Sequence, residues 1–504
     1  MSQLRYYEHR INLAIHNLKT QSTDSTTVAL LAGVAGLSLL LYLLAFVRPY
    51  NLFELYQRPR LELYDISKDY PMARWLLVAV FLIQGALYWL GWRLAQRTRA
   101  RAAWIVVLGS AAAFSAALLF MYPLDAADIF DNIMHGRILG VYGANPFRQI
   151  AARFSEDPFL PYMAWRRTPS AYGPAWEVMA AVTARMVGDN IVANVIAFKL
   201  LVAAFLAASV GVVAATLRHL APERALAGVL WLAWNPVVLY ETLGNGHNDI
   251  VMVFWILAAA WALLRQRYTL SILSLMAGAL VKFVPLLILP AAGLIALREL
   301  GNARARLRFL IVTTFSALLL FALAYGPFWY GIETLGIERR TRLFTASLPA
   351  VIYALLQPRM GAEHASSVIG GIAAGLTLLF AIWQGIRAWQ NRSQLSFVQA
   401  TFNILMFYLL LTCLWFQQWY AVWPLAIAAL LPAGPPVYLA FVLSYATLLA
   451  KQLIFGPMFF WIRPLPPKPW RELRFGPTVL GVQWLYALFV FLHTRFRQKE
   501  KAEG

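Results

Sequence analysis

Three carboxylates stand close together at Asp125, Asp128 and Asp131, with His135 and Arg137 following them. Acids three residues apart share one face of a helix. One of three such acids can act as general base, taking the proton of an attacking hydroxyl. The same acids would also suit a solvated helix start, where they complement the dipole. A second cluster, Gly244-Asn245-Gly246-His247-Asn248-Asp249, interrupts an apolar stretch. Such a break leaves backbone N–H groups free at the start of the next helix, a natural site for an anion. A tight turn also uses Gly and Asn, but it has no need of His247.

Two aromatic clusters follow. One runs from Thr168 through Ser170, Tyr172, Gly173 and Pro174 to Trp176 and Glu177; the other is Phe416-Gln417-Gln418-Trp419-Tyr420 with Trp423-Pro424. Such residues are expected anchors at a membrane interface, and their rings also offer a platform to the face of a sugar. Lys199 and Lys282 lie within apolar runs, where an ammonium group is costly unless it is paired or faces a polar cavity. Lys282, with Pro285 close behind, points to an anionic ligand or a buried acid, the alternative being a hairpin tip that reaches water. Lys199 starts about two turns inside its span, which favours a partner within the bundle. No His-Glu-x-x-His, Walker loop or Gly-x-Ser-x-Gly elbow occurs, so nucleotide-driven transport and serine hydrolysis lack support. Three acids without a neighbouring His-acid ligand set favour metal-free chemistry, and no metal or other cofactor is expected.

The elements that position these residues follow from composition. Of 504 residues, 61% are hydrophobic and only 13% charged, against about 25% charged in soluble domains. The single Cys413 excludes an internal disulfide. The formal charge of +20 is scattered between apolar runs and forms no basic arm, so no nucleic-acid partner is expected. At about 20 residues per crossing the chain reads as an all-α polytopic membrane protein of about 12 to 14 transmembrane helices. Runs suited to spanning are Thr27 to Val47, Trp75 to Trp92, Ala102 to Met121, Ile191 to Leu217, Ala225 to Tyr240, Ile250 to Leu264, Phe309 to Phe328, Val368 to Trp383, Phe397 to Phe416, Tyr420 to Leu431, Val437 to Leu453 and Val479 to Leu492. Leu270 to Leu297 reads as two short helices or one broken helix, and Pro174 to Val187 as a half-embedded helix.

Short loops dense in Lys and Arg place both termini, residues 1–26 and 495–504, in the cytoplasm. Every polar cluster that looks chemical then faces outward. The large outer loop 122–173 carries the acids, and the whole chain, 1–504, forms one membrane-embedded unit.

The order of these clusters resembles the GT-C superfamily of integral-membrane glycosyltransferases, most closely the polyprenol-phosphate-mannose-dependent mannosyltransferases and their bacterial relatives. The residues that carry it are Asp128-Ile-Phe with Gly136-Arg137 and Asn145-Pro146-Phe147, then Tyr172-Gly173-Pro174-Ala-Trp176. The 244–249 stretch followed by Lys282-Phe-Val-Pro285 is the most specific, and Gln417-Gln418-Trp419-Tyr420 with Trp423-Pro424 resembles a late motif. The chain departs from that pattern at Asn132, His135 and Gln418, where the family more often has an aromatic, an acid and a proline.

The resemblance implies a GT-C-like bundle with a catalytic first outer loop, in a multi-pass protein of the bacterial cell membrane. It also implies transfer of a hexose, mannose by preference, from a polyprenyl-phosphate donor to a glycan, lipid or protein acceptor of the envelope, with membrane lipids as the surroundings. A phosphate leaving group calls for cations and N–H donors rather than an acid. Asp128 is the first choice of base, then Asp131 and Asp125. Arg137, His135, Tyr172, His247, Asn248, Asp249, Lys282, Arg339, Arg340, Gln418, Trp419 and Tyr420 are the donor-phosphate and substrate candidates. Two competing classes are a lipid or glycolipid transporter and a non-catalytic assembly subunit. The first predicts inverted repeats and ionisable groups at the midplane, the second no dependence of activity on the outer-loop acids.

Overall fold

The computed structural model describes residues 24–450, apart from 64, 67–69, 71, 126 and 338–341. The expected span Val479 to Leu492, the C-terminal tail, most of the N-terminal tail, and Arg339 and Arg340 lie outside the described residues. Within them there is no strand, only two isolated bridges, Asn51 with Met121 and Thr345 with Trp415. In chain order the main helices are α1 (Asp24–Val47), α2 (Met72–Ala95), α3 (Arg101–Leu119), α4 (Asp128–Gly140), α5 (Pro174–Val187), α6 (Ile191–Leu220), α7 (Ala225–Ala233), α8 (Asp249–Leu264), α9 (Tyr268–Ala279), α10 (Leu289–Glu299), α11 (Ala303–Tyr325), α12 (Leu348–Met360), α13 (Ala362–Gln390), α14 (Ser396–Phe407), α15 (Val422–Ala428) and α16 (Pro435–Ala450).

This is an all-α polytopic membrane protein. Among the described residues six helices are long and apolar enough to cross a membrane: α1, α2, α3, α6, α11 with its short extension, and α13. A seventh span arises if the pair Pro222–Ala233 and Pro236–Gly244, bent by 45°, counts as one. The remaining apolar runs form shorter helices, among them α8, α9 and the segments Ser396–Thr412 and Pro435–Leu449. Of the expected span Tyr420 to Leu431 only α15 is α-helical, following the 3-10 turn Gln418–Ala421. The reason is burial: every residue of α15 and of α7 is buried, and a helix apolar on all sides is what the interior of a bundle requires. The Trp231 indole donates to Leu425 O at 3.0 Å and joins the two.

The bend after α7 follows from Trp234-Asn235-Pro236. Asn235 Oδ1 accepts from the backbone N of Val237 and Val238, and Pro236 occupies the first turn, where a missing N–H is no loss. The restarted helix widens into a π-turn at Tyr240–Gly244 and stops at Gly246, whose φ of +77° only glycine adopts easily. As anticipated, 270–297 is two short helices, α9 and α10, separated by a 3-10 turn at Val284–Ile288.

Two close approaches bring the loop elements onto the bundle. Gly136 and Gly140 let α4 lie against α5 so tightly that an added Cβ would stand 2.5 Å from Ala180 O and 2.3 Å from Ala181 O. At the start of α5, Gly173 N and Ala175 N donate to Val281 O and Leu280 O. Lys199 of α6 is fully buried and donates to Leu118 O and Met121 O at the C-terminal end of α3. There a cation meets both the unpaired carbonyls and the negative end of the dipole.

Candidate functional site

The four sequence clusters converge on one place, although they come from points up to about 300 residues apart. Gln418 Nε2 donates to Asp125 Oδ2 at 3.0 Å. Asn245 Oδ1 accepts from the backbone N of Leu124 at 3.0 Å and of Asp125 at 3.3 Å. Lys282 Nζ is 2.7 Å from Asp249 Oδ2, and the Trp423 indole donates to the other oxygen at 2.6 Å. The Lys282 ammonium also lies over the rings of Tyr172, at 5.2 Å, and Tyr420, at 5.5 Å. Tyr420 in turn stacks on Trp423 at 4.4 Å. An ammonium between two aromatic faces with one carboxylate partner has its charge placed and its desolvation partly offset.

His247 is buried and stacked on Trp419, with ring centroids 3.9 Å apart. Its Nδ1 is 3.2 Å from Glu241 Oε2 and 3.1 Å from Glu241 O. Nε2, the opposite nitrogen, has no hydrogen-bond partner among the described residues, and neither side-chain atom of the buried Asn248 has one. Burial acts to lower the imidazole pKa, but the hydrogen bond and charge of Glu241, aided by Asp128 and Asp249, outweigh it and hold the group above its ordinary value. The π-turn sets this geometry by bringing Glu241 to the Nδ1 side of His247, where His247 N also donates to Glu241 O at 3.0 Å.

The three acids fare differently. Asp125 is buried and held by Gln418 and by the loop that Asn245 caps. Asp131 is buried, with Oδ1 accepting from Trp165 N at 3.1 Å. Burial first, and then the charge of Asp128, raises its pKa well above the usual carboxylate range. Asp128, the first residue of α4, is partly exposed, and its carboxylate makes no hydrogen bond to a described residue. Its charge bears on Asp131, His247 and Tyr172. The Tyr172 phenol is held high by burial and by Asp128, Asp249, Asp131 and Glu177 together.

Arg137 is not brought to these groups. Its Nε donates to Asp157 Oδ2 and Nη2 to Asp189 Oδ1, each at 2.7 Å, and Nη1 to Gly188 O at 2.9 Å. With every nitrogen engaged, it clamps the outer loop to the turn after α5. His135 lies buried one turn beyond Asp131.

Two acids take part that sequence reasoning gave no role. Glu241 sits fully buried in an apolar segment, and that expense alone is a signal of function. Glu177 is likewise fully buried and accepts a hydrogen bond from Ser170 Oγ, which itself accepts from Tyr172 N. Burial pushes the Glu177 carboxyl up to about 8. Among the described residues no group of three or more His, Cys, Asp or Glu could hold a metal ion.

Residues 28–298, more than half of the chain, match the family described as alpha-(1->6)-mannopyranosyltransferase, N-terminal domain. The alpha-(1->6)-mannopyranosyltransferase A of Corynebacterium glutamicum is 27% identical over 176 residues, covering 34% of this chain and 35% of that protein. The protein of the same name from Mycobacterium tuberculosis is 25% identical over 336 residues, covering 62% of this chain and 63% of its own. The match thus spans about a third of one relative and less than two thirds of the other. No solved structure matches.

Proposed function

The chain belongs to the alpha-(1->6)-mannopyranosyltransferase family, and on that premise we propose that it transfers mannose from a polyprenyl-phosphate donor to an envelope acceptor at the outer face of the cell membrane, with both termini in the cytoplasm. Asp128 takes the proton of the acceptor hydroxyl as its oxygen attacks the anomeric carbon. The bond from that carbon to the phosphate oxygen breaks, the configuration inverts, and the lipid phosphate leaves with the bonding pair.

The observation that carries this reading is the contrast among carboxylates. Asp125 is buried and engaged and Asp131 is buried with one oxygen taken by Trp165 N, whereas Asp128 is partly exposed and its charge acts on His247 and Tyr172. A general base needs a free lone pair that substrate can reach, which favours the partly exposed Asp128 over the buried Asp131. Phosphate needs donors instead: His247 Nε2 and the Asn248 amide have unfilled hydrogen-bonding capacity at the start of α8, and the Lys282 ammonium lies beside Asp249 there. Such preorganised donors stabilise charge that grows as the bond breaks. Arg137, with its donors occupied, positions the loop in this reading and does not touch phosphate. No metal is called for.

The test is to incubate the purified full chain with a panel of polyprenyl-phosphate sugars and an α-linked mannose acceptor, and to measure release of polyprenyl phosphate. Release from the mannose donor supports the reading. Translocation of the lipid without release would favour a transporter instead.

A further inference from the structure

Trp165 lies in the outer loop and is 42% exposed, unusual for so large an apolar ring. It is not loose. Its backbone N donates to Asp131 Oδ1 at 3.1 Å, which ties the ring's position to the acidic motif. Against it stands the half-buried Trp415, with centroids 5.9 Å apart and planes at 69°. Trp415 is fixed by its own bridge to Thr345, where Thr345 N donates to Leu414 O and Phe416 N to Thr345 O. Three residues further on, Gln418 donates to Asp125. The two tryptophans therefore join separate segments that each hold one acid of the motif, on either side of Asp128.

An edge-to-face pair covers one ring face and leaves others open. The flank of a pyranose that carries its C–H bonds is apolar and flat, and it stacks on indole while its hydroxyls stay in water. Arg166 and Arg167, next in sequence to Trp165, favour water over lipid on that side. Resting on the glycosyl-transfer reading above, we infer that Trp165 and Trp415 form an acceptor subsite that stacks the sugar next to the one attacking at Asp128.

The test uses the purified full chain, polyprenyl-phosphate mannose, and two acceptors, methyl α-mannoside and α-1,6-mannobiose. The wild type is expected to show a KM for mannobiose on the order of tenfold below that for the monosaccharide, a gap typical of one stacking contact. Trp165→Ala and Trp415→Ala should each close that gap by raising the mannobiose KM, with Trp165→Tyr restoring most of it. Binding of α-1,6-mannotriose, followed calorimetrically, should weaken in parallel, so a readout survives even where a variant turns over poorly. Equal KM values for both acceptors in the wild type would overturn the subsite. So would alanine variants that raise both KM values alike, as a membrane anchor or a folding contact would, or mannotriose that fails to bind. Failure of the transfer reading looks different: no lipid phosphate is released from the donor with either acceptor.

Discussion

Replacing Glu241 by Gln removes one charge from a fully buried position 3.2 Å from His247 Nδ1 and leaves the shape and one acceptor oxygen in place. In the wild type the carboxylate keeps the imidazole above its ordinary value despite burial. The cationic form therefore persists to higher pH than in a free imidazole, and it is lost only when pH climbs through the raised value. In E241Q burial dominates, and the same loss occurs at lower pH. A charged donor to phosphate contributes about 1.5–3 kcal/mol, so neutral His247 should weaken donor affinity roughly tenfold to somewhat above a hundredfold in the pH window between the variant's titration and the wild type's. At the acid end of the profile, below both titrations, solution protons restore the imidazolium and the two proteins should draw together. The assay is donor KM against pH from 5.5 to 9 at saturating acceptor, with a thermal melt to show that the variant folds. Parallel pH profiles, or a variant equally impaired at every pH, would refute the claim that His247 acts as a cation on the donor.

Other consequences are open to simpler tests. Lys282→Met should abolish turnover and also leave Asp249 buried with only the Trp423 indole, a loss of about 3–5 kcal/mol; adding Asp249→Asn should recover much of the melting temperature but none of the activity. Gly173→Ala places a Cβ 2.1 Å from Leu280 O, where backbone cannot give way cheaply, and should cost at least about 1–3 kcal/mol in a detergent melt. In a Cys413→Ser background, cysteines placed at the exposed Glu156 and Arg392 should react with an impermeant thiol reagent from the outer and the cytoplasmic side respectively; labelling of both from the same side would contradict the topology.

Much of the scaffold was legible because membrane spans and breaks leave local signatures. Although the bend at Asn235-Pro236 falls inside the run Ala225 to Tyr240 that reads as a single span, the stop at Gly246 and the broken segment around Lys282 are each written in a few adjacent residues. The short helix at Pro174 was legible for the same reason. Pairings between distant segments leave no such trace. The partner of Lys282 is Asp249, 33 residues away, and local periodicity cannot say which of several acids it meets. Arg137 looked suited to phosphate from its place in the acidic motif, but its partners Asp157 and Asp189 lie beyond any local window. The run from Tyr420 to Leu431 is apolar enough to span a membrane, and the same property suits the wholly buried α15. Hydropathy does not distinguish lipid from protein as the apolar surroundings.

The proposed mechanism stands on Asp128 as the base, and comparing Asp128→Asn with Asp131→Asn in the polyprenyl-phosphate release assay tests it. An amide keeps the shape of each side chain and removes the basic lone pair. Asp131 is buried, with one oxygen already accepting from Trp165 N, so substrate reaches it less readily and its variant should be the milder, within a few-fold of wild type. Asp128→Asn should fold and bind donor but lose at least about a hundredfold in turnover, the usual contribution of a positioned base. If Asp128→Asn retains activity within about tenfold of wild type, or if Asp131→Asn proves the more damaging, the base lies elsewhere and the proposed mechanism is contradicted.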